Sequence, residues 1–189
     1  LPSHIEDDVL CIVATQDGTG TLSEGGATWA NPYAVTTNPT TAIFIKVAGA
    51  TTEANPTINS TASNDLLISA FVIRDADVLD IVNQITTTGT TSSAYFGDCA
   101  SVTTDSDDCL LIHICSNYNI GRLFVPEPGG KQLIRGDNGG SVGIAHNIVY
   151  SGQGVQGATN VQRFIAQGIA TLNHSITLAI NNKTGGTQK

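Results

Sequence analysis

A chain of 189 residues suits one domain with a single hydrophobic core, because β-sandwiches reach about 200 residues as one unit. Its formal net charge is −8 and its Lys and Arg residues are scattered, which argues against the basic surface that binds nucleic-acid phosphates. No apolar run is long enough to predict a membrane-spanning helix. Abundant Thr, Val, Ile, Asn and Gly favour strands and turns over helices.

Four segments of the first half have strand character. The earliest, residues 9–15 (VLCIVAT), is apolar on both faces, which indicates a central strand. A Gly-Gly-Ala-Thr-Trp segment then ends at Trp29. Further strands are predicted at residues 41–48, 57–61 and 65–73.

The middle of the chain is expected to connect two halves. Val78, Leu79 and Val82 have helical spacing within residues 75–84, which is compatible with one short helix or turn. Residues 85–94 are rich in Thr, Ser and Gly, as is typical of a connection. We therefore interpret residues 76–104 as the link between the halves.

The pattern of the first half then restarts. Residues 107–115 (DDCLLIHIC) follow residues 7–15 (DDVLCIVAT) almost position for position, at a spacing of about 100 residues. The later segments also correspond in order. Residues 129–133 match 25–29, and residues 141–150 match 41–48. Residues 161–167 and 173–180 match the last two strands of the first half. The sequence thus predicts one domain, 1–189, with halves at about 6–75 and 105–180 and a C-terminal tail at 181–189.

The duplication predicts how the halves pack. Each half alone would expose an apolar sheet face to water, and packing the two together buries both faces. We predict an all-β fold, a two-sheet antiparallel β-sandwich of jelly-roll type built from two similar halves. An immunoglobulin-like sandwich is the alternative, but its Cys…Trp…Cys spacing is missing. A parallel α/β fold is disfavoured because no long amphipathic helix recurs between the strands.

The order of these segments resembles a known family. The run "DDVLCIVATQDG", "GGATW", "TTAIFIKVAGATTEANPTINSTASNDLLISAFVIRDAD", "DSDDCLLIHIC" and "HSITLAI" is similar to a β-sandwich module of bacteriophage tail, fibre and capsid-associated proteins. Arg74 and Asp77 occupy the "R-x-x-D"-like turn of that module, whereas Gln132-Leu133 replaces its Gly-Trp in the second half. The resemblance implies a structural role in a virion or at an extracellular surface, and it brings no catalytic residues.

The cysteines lack the paired spacing of a zinc site or a thioredoxin-like centre. Cys99 and Cys109 flank an acidic, turn-like stretch, so a disulfide between them is a candidate that the redox compartment would decide. Cys11 and Cys115 lie inside apolar runs and are interpreted as small buried residues.

Acidic residues before the restarted strand are weak calcium candidates. Asp105, Asp107 and Asp108 are close in sequence, and calcium binds several carboxylate and loop oxygens. The fixed acidic spacing of a calcium loop is absent, so solvated turn carboxylates are the favoured interpretation. No metal and no cofactor are predicted.

The sequence offers no catalytic constellation. His4, His113, His146 and His174 are far apart, and no G-x-S-x-G elbow is present. Structural histidines with satisfied hydrogen bonds are therefore expected, and the chain is predicted not to be an enzyme.

These observations favour a non-enzymatic structural protein. We expect a virion component, such as a capsid decoration, tail or fibre domain, whose partners are copies of itself or a shell or tail protein. One alternative is a lectin-like domain that binds a surface glycan through loops around Trp29, Tyr118 and residues 152–157. Another is a cell-surface filament subunit joined by strand exchange through its terminal arms, including residues 1–6.

Overall fold

The computed structural model describes residues 1–26, 28–49, 53–62, 65–77, 82–90, 94–118, 124–126, 131–137, 144–170 and 172–183. Within these ranges the chain forms strands and loops and contains no helix, which confirms the predicted all-β class. It follows that none of the described segments is a long apolar helix of the kind that crosses a membrane.

Sixteen strands make up the described fold. They are β1 (Val9–Gln16), β2 (Leu22–Glu24), β3 (Ala30–Val35), β4 (Thr40–Val47), β5 (Ile58–Ser60), β6 (Leu66–Ile73), β7 (Val82–Thr90), β8 (Ala94–Cys99), β9 (Thr103–Thr104), β10 (Cys109–Tyr118), β11 (Phe124–Pro126), β12 (Lys131–Asp137), β13 (Ile144–Gln153), β14 (Gly157–Ala158), β15 (Gln162–Ala170) and β16 (Leu172–Ile180).

Three larger antiparallel sheets organise these strands. The first sheet has the order β3-β4-β1-β6, the second β12-β13-β10-β16-β7, and the third β11-β15-β8. Two short ribbons, β2-β5 and β9-β14, complete the described pairing. The central strands β1 and β10 each pair antiparallel with a neighbour on both sides.

The strand order of the first half recurs in the second. In the first sheet β3, β4, β1 and β6 follow one another, and in the second sheet β12, β13, β10 and β16 follow in the corresponding order. The ribbon β2-β5 likewise corresponds to the pair β11-β15. Six strands of each half therefore match in sequence order and in pairing, as the repeat in the sequence predicts.

The link between the halves is itself built of strands. Residues 76–104, predicted as a connection, contain β7, β8 and β9. Val82, predicted on a short helix or turn, instead begins β7, while Val78 and Leu79 lie outside the described residues. The physical reason is long-range pairing, because β7 runs along β16 from Val82 opposite Ile180 to Thr90 opposite Asn173 and satisfies its main chain there.

The largest apolar core lies between the first and second sheets. Val9, Cys11, Val13, Ile43, Ile45, Phe71 and Ile73 come from the first sheet, and Ile112, Ile114, Ile148, Ile176, Leu178 and Ile180 come from the second. Burying this apolar surface is the main favourable term for holding the two sheets together.

Both sheets are also covered on their outer faces. Leu10, Ile12 and Phe44 of the first sheet pack with Leu22 of β2 and with Trp29. Cys115 and Val149 of the second sheet pack with Cys99 of β8 and Phe164 of β15. A strand that is covered on both sides requires apolar residues at successive positions, which explains why β1 is buried at all eight.

Candidate functional site

Among the described strands, β6 is an edge of the first sheet with no strand covering its outer side. It pairs with β1 on one side, and no other strand in the described ranges pairs with it. Its eight residues, LLISAFVI, include no charged residue, Pro or Gly. Leu66 is 37% exposed and Ile68 is 46% exposed, so the edge carries apolar side chains as well as unpaired main-chain groups.

The second half shows what covers the corresponding edge. Strand β16 is the counterpart of β6, and β7 pairs along its whole outer side. In the described part of the molecule, the place beside β6 that would correspond to β7 has no strand. In the part of the chain that the structure describes, the first sheet therefore has one strand fewer than the second.

The neighbouring edges carry features that discourage pairing. Edge strand β3 contains Pro32, which has no N–H to donate, and its register shifts between Ala30 and Tyr33. Edge strand β12 contains Lys131 and shifts register after Gln132. Natural sheets use these devices against edge-to-edge association, and β6 has none of them.

The N-terminal arm is bound to its own domain. The Leu1 amino group donates to Asn55 Oδ1, and the Asp7 amide donates to the Ala48 carbonyl at 2.9 Å. His4 is buried, with Nδ1 2.8 Å from the Pro2 carbonyl and Nε2 accepting from the Glu53 amide at 3.0 Å. These bonds hold residues 1–6 against their own domain, and strand exchange through this arm stays a prediction.

His146 lies between the first and second sheets in a cluster of hydroxyl groups. Its Nε2 is 2.6 Å from Ser69 Oγ of β6, and its Nδ1 is 3.3 Å from Thr15 Oγ1 of β1. The Thr15 hydroxyl also lies 3.1 Å from Ser116 Oγ of β10. This cluster is a polar tie between the two sheets inside an otherwise apolar interface.

Burial controls the protonation of the interior histidines. Desolvation lowers the pKa of His146 to about 4, and it lowers the pKa of His113 to about 4. His113 Nδ1 lies 3.3 Å from Thr177 Oγ1, and its Nε2 lies 3.3 Å from Ser151 Oγ. Both imidazoles are therefore neutral near pH 7, with hydroxyl partners that serve as donor or acceptor.

The contact between Ser69 and His146 does not have the surroundings of a nucleophilic pair. In a hydrolase, a carboxylate orients the imidazole and stabilises its cation, whereas His146 Nδ1 faces the Thr15 hydroxyl. His146 is fully buried. Neither the cleft beside Tyr150 nor the cleft beside Trp29 is lined by His146 or Ser69. The geometry fits a structural hydrogen bond.

The candidate disulfide between Cys99 and Cys109 is not formed. All four cysteines are free and buried. The Cys99 thiol donates to the Ile114 carbonyl at 3.4 Å, and Ile114 is five positions along β10 from Cys109, about 17 Å at strand spacing. Cys99 packs instead with Cys115.

The thiols are expected to be unreactive in the folded protein. Burial raises the pKa of Cys11 and Cys115 to about 12 and raises that of Cys99 well above its ordinary value, so almost no thiolate is present near neutral pH. Titration with an aromatic disulfide reagent should detect no thiol in the native protein and four after denaturation. Two thiols after denaturation without reductant would contradict the structure.

The calcium candidates do not assemble. No group of three or more acidic, His or Cys side chains placed to hold a metal ion occurs among the described residues. Asp107 Oδ1 accepts a hydrogen bond from the Gln156 amide at 2.7 Å, which ties the two loops together. Asp105, Asp107 and Asp108, the weak calcium candidates, are therefore not assembled into a cluster of this kind.

The two candidate ligand-facing aromatics lie apart. Trp29 is 8% exposed, packs in the outer core of the first sheet and forms part of the wall of a cleft. Tyr118 ends β10 in the second sheet, opposite Ile144 and Leu172, and does not line that cleft. The cleft beside Trp29 therefore does not include Tyr118.

Comparison with known proteins gives no match. No protein-family model, no curated protein sequence and no solved structure is similar to this chain. The functional argument therefore depends on the geometry described above.

Proposed function

We propose that this protein is a structural component that assembles with copies of itself through the β6 edge. The observation that carries the proposal is the absence, in the described residues, of a strand beside β6 where β7 covers the matching strand β16. A second copy placed by a two-fold axis would put its own β6 antiparallel to the first. The two first sheets would then form one continuous sheet of eight strands.

The chemistry of β6 supports pairing with another copy. An edge strand exposes alternate N–H and C=O groups, and pairing satisfies them without side-chain specificity. Leu66 and Ile68 would each gain neighbouring side chains on the partner strand and lose part of their exposure. Because β6 carries no charge, two copies can approach without like-charge repulsion along the strand.

We further propose a jelly-roll-like arrangement for the paired halves and a virion as the setting. The face-to-face core of the two main sheets supports the first idea, and the resemblance to phage tail, fibre and capsid-associated modules supports the second. A structural role needs no catalytic group, which agrees with the hydroxyl partners of His146 and His113.

Replacing Ile68 with Lys is expected to abolish self-association. Two ammonium groups would meet near the two-fold axis, and each would lose hydration against an apolar edge, so we expect dimerisation to weaken by at least about a hundredfold. Sedimentation equilibrium over a range of concentrations measures the effect.

Val155→Lys is the matched control. Val155 is 69% exposed, lies in the loop between β13 and β14 outside β6, and undergoes the same apolar-to-cationic change. We expect this variant to associate like the wild type. A wild-type chain that stays monomeric at millimolar concentration, or an Ile68→Lys variant that associates normally, would contradict the proposed function.

A further inference from the structure

A polar cleft lies on the outer side of the first sheet. Its polar lining differs from the apolar side chains of the β6 pairing surface. It has a volume of about 470 Å³ and lies between the β2-β5 ribbon and Lys46 of β4. Its lining residues with polar side chains are Glu24, Thr28, Lys46, Glu53, Asn55, Thr57 and Asn59.

The charged groups of the cleft are already held by the protein. Lys46 Nζ lies 2.6 Å from Glu53 Oε2, and the Gly49 amide donates to Glu53 Oε1 at 2.8 Å. Glu24 accepts from the amides of Gly26 at 2.8 Å and Thr28 at 2.9 Å. These bonds fix both carboxylates while leaving each oxygen a further lone pair for a ligand.

Donor hydrogen bonds also keep the carboxylates ionised. The Lys46 ammonium and the Gly49 amide lower the pKa of Glu53, and the Gly26 amide lowers the pKa of Glu24. Ionised carboxylates accept hydrogen bonds strongly and repel an anionic ligand. Of the residues that line the cleft, Lys46 alone has a cationic side chain, and it is paired with Glu53, so the lining does not offer the clustered cations that an anion requires.

Asn59 supplies an open amide beside these acceptors. Its side chain is exposed, and its residue lines the cleft. A Cβ on Gly25 would lie 3.1 Å from Asn59 Nδ2, so the absence of a side chain at Gly25 leaves the amide accessible. The Trp29 indole adds an apolar wall.

We propose that this cleft binds a neutral saccharide. Sugar hydroxyl groups both donate and accept, so they can donate to the fixed carboxylates and accept from the Asn59 amide, while an apolar sugar face contacts Trp29. The same arrangement rejects acidic sugars through Glu24 and Glu53. This site is independent of β6 and of self-association.

Fluorescence of the protein reports on this cleft, because Trp29 is the only tryptophan. Titration with maltotriose, cellotriose and triacetylchitotriose is expected to give a saturable change with at least one of them, confirmed by calorimetry. Trigalacturonate, which is anionic, is expected to give none. Asn59→Ala should weaken the binding by about fivefold, the equivalent of one hydrogen bond.

Asn160→Ala is the control, since Asn160 is also exposed and does not line the cleft. We expect it to bind sugar like the wild type, and both variants to unfold at the wild-type temperature. The proposal is overturned if none of the three neutral sugars binds, if trigalacturonate binds as well as they do, or if Asn59→Ala and Asn160→Ala behave alike.

Discussion

Acidification from pH 7 towards pH 4 is expected to reduce the free energy of unfolding steeply, by up to about 3 kcal/mol for each of two buried histidines. Burial lowers the pKa of His113 and of His146 from 6.5 to about 4 in the folded protein. The unfolded chain therefore takes up protons first as the pH falls. The stabilisation is complete above about pH 6.5 and is lost progressively as the pH approaches 4.

Urea unfolding at successive pH values between 7 and 4 measures this effect. His146→Gln cannot titrate, so its stability should fall less with pH than that of the wild type, even if its stability at pH 7 is lower. His174→Gln is the comparison, because burial also lowers the pKa of His174 but this side chain is only partly buried and contacts Thr37, so we expect this variant to change the pH dependence less than His146→Gln does. An unchanged pH dependence in His146→Gln would contradict the buried, neutral state of this imidazole.

Truncation of Phe44 to Ala is expected to cost about 3–5 kcal/mol of unfolding free energy. Phe44 is on the outer face of the first sheet, where it packs beneath Leu22 and Trp29 with 1% of its surface exposed. A phenyl group removed there leaves a cavity because the covering ribbon is held by its own main-chain bonds. Urea unfolding measures the loss.

Ile165→Ala is the control for this experiment. Ile165 is 40% exposed on β15, so its truncation should cost far less than that of Phe44. Similar small losses at both positions would show that the outer face of the first sheet is open to water, contrary to the described packing.

The duplicated strands could be predicted because they leave local signals. The run 9–15 has apolar residues at successive positions, and both faces of β1 are buried in the structure. The restart at residue 107 preserves the acidic pair and the apolar run, and β10 occupies the same central place in its sheet. Periodicity and repetition are properties of short windows and can be recognised there.

Long-range pairing explains what could not be predicted. The Thr-rich residues of β7 look like a connection by composition, yet they complete the second sheet against β16, about 90 residues further along the chain. The proposed role of β6 as a pairing edge could not be predicted for the same reason. Only the strand order of the sheets shows that β7 covers β16 and that, in the described residues, no strand covers β6.

Individual site residues were predicted less well for a related reason. Closeness in sequence suggested the Cys99–Cys109 pair and the acidic cluster. In the structure, the extended strands separate Cys99 from Cys109, and Asp107 accepts a hydrogen bond from the Gln156 amide instead. The hydroxyl partners of His146 come from β1 and β6, about 130 and 80 residues away. No local pattern identifies such neighbours.

Hydrogen exchange of the β6 amides tests the central structural argument, that the first sheet accepts one more strand. Exchange should slow at the alternate amides of Leu66–Ile73 that do not bond to β1 when the protein is concentrated enough to associate, and it should stay fast at these amides in Ile68→Lys at the same concentration. The amides of β3, the opposite edge, should not change. Assemblies in which the β6 amides exchange as fast as in the dilute monomer would contradict it.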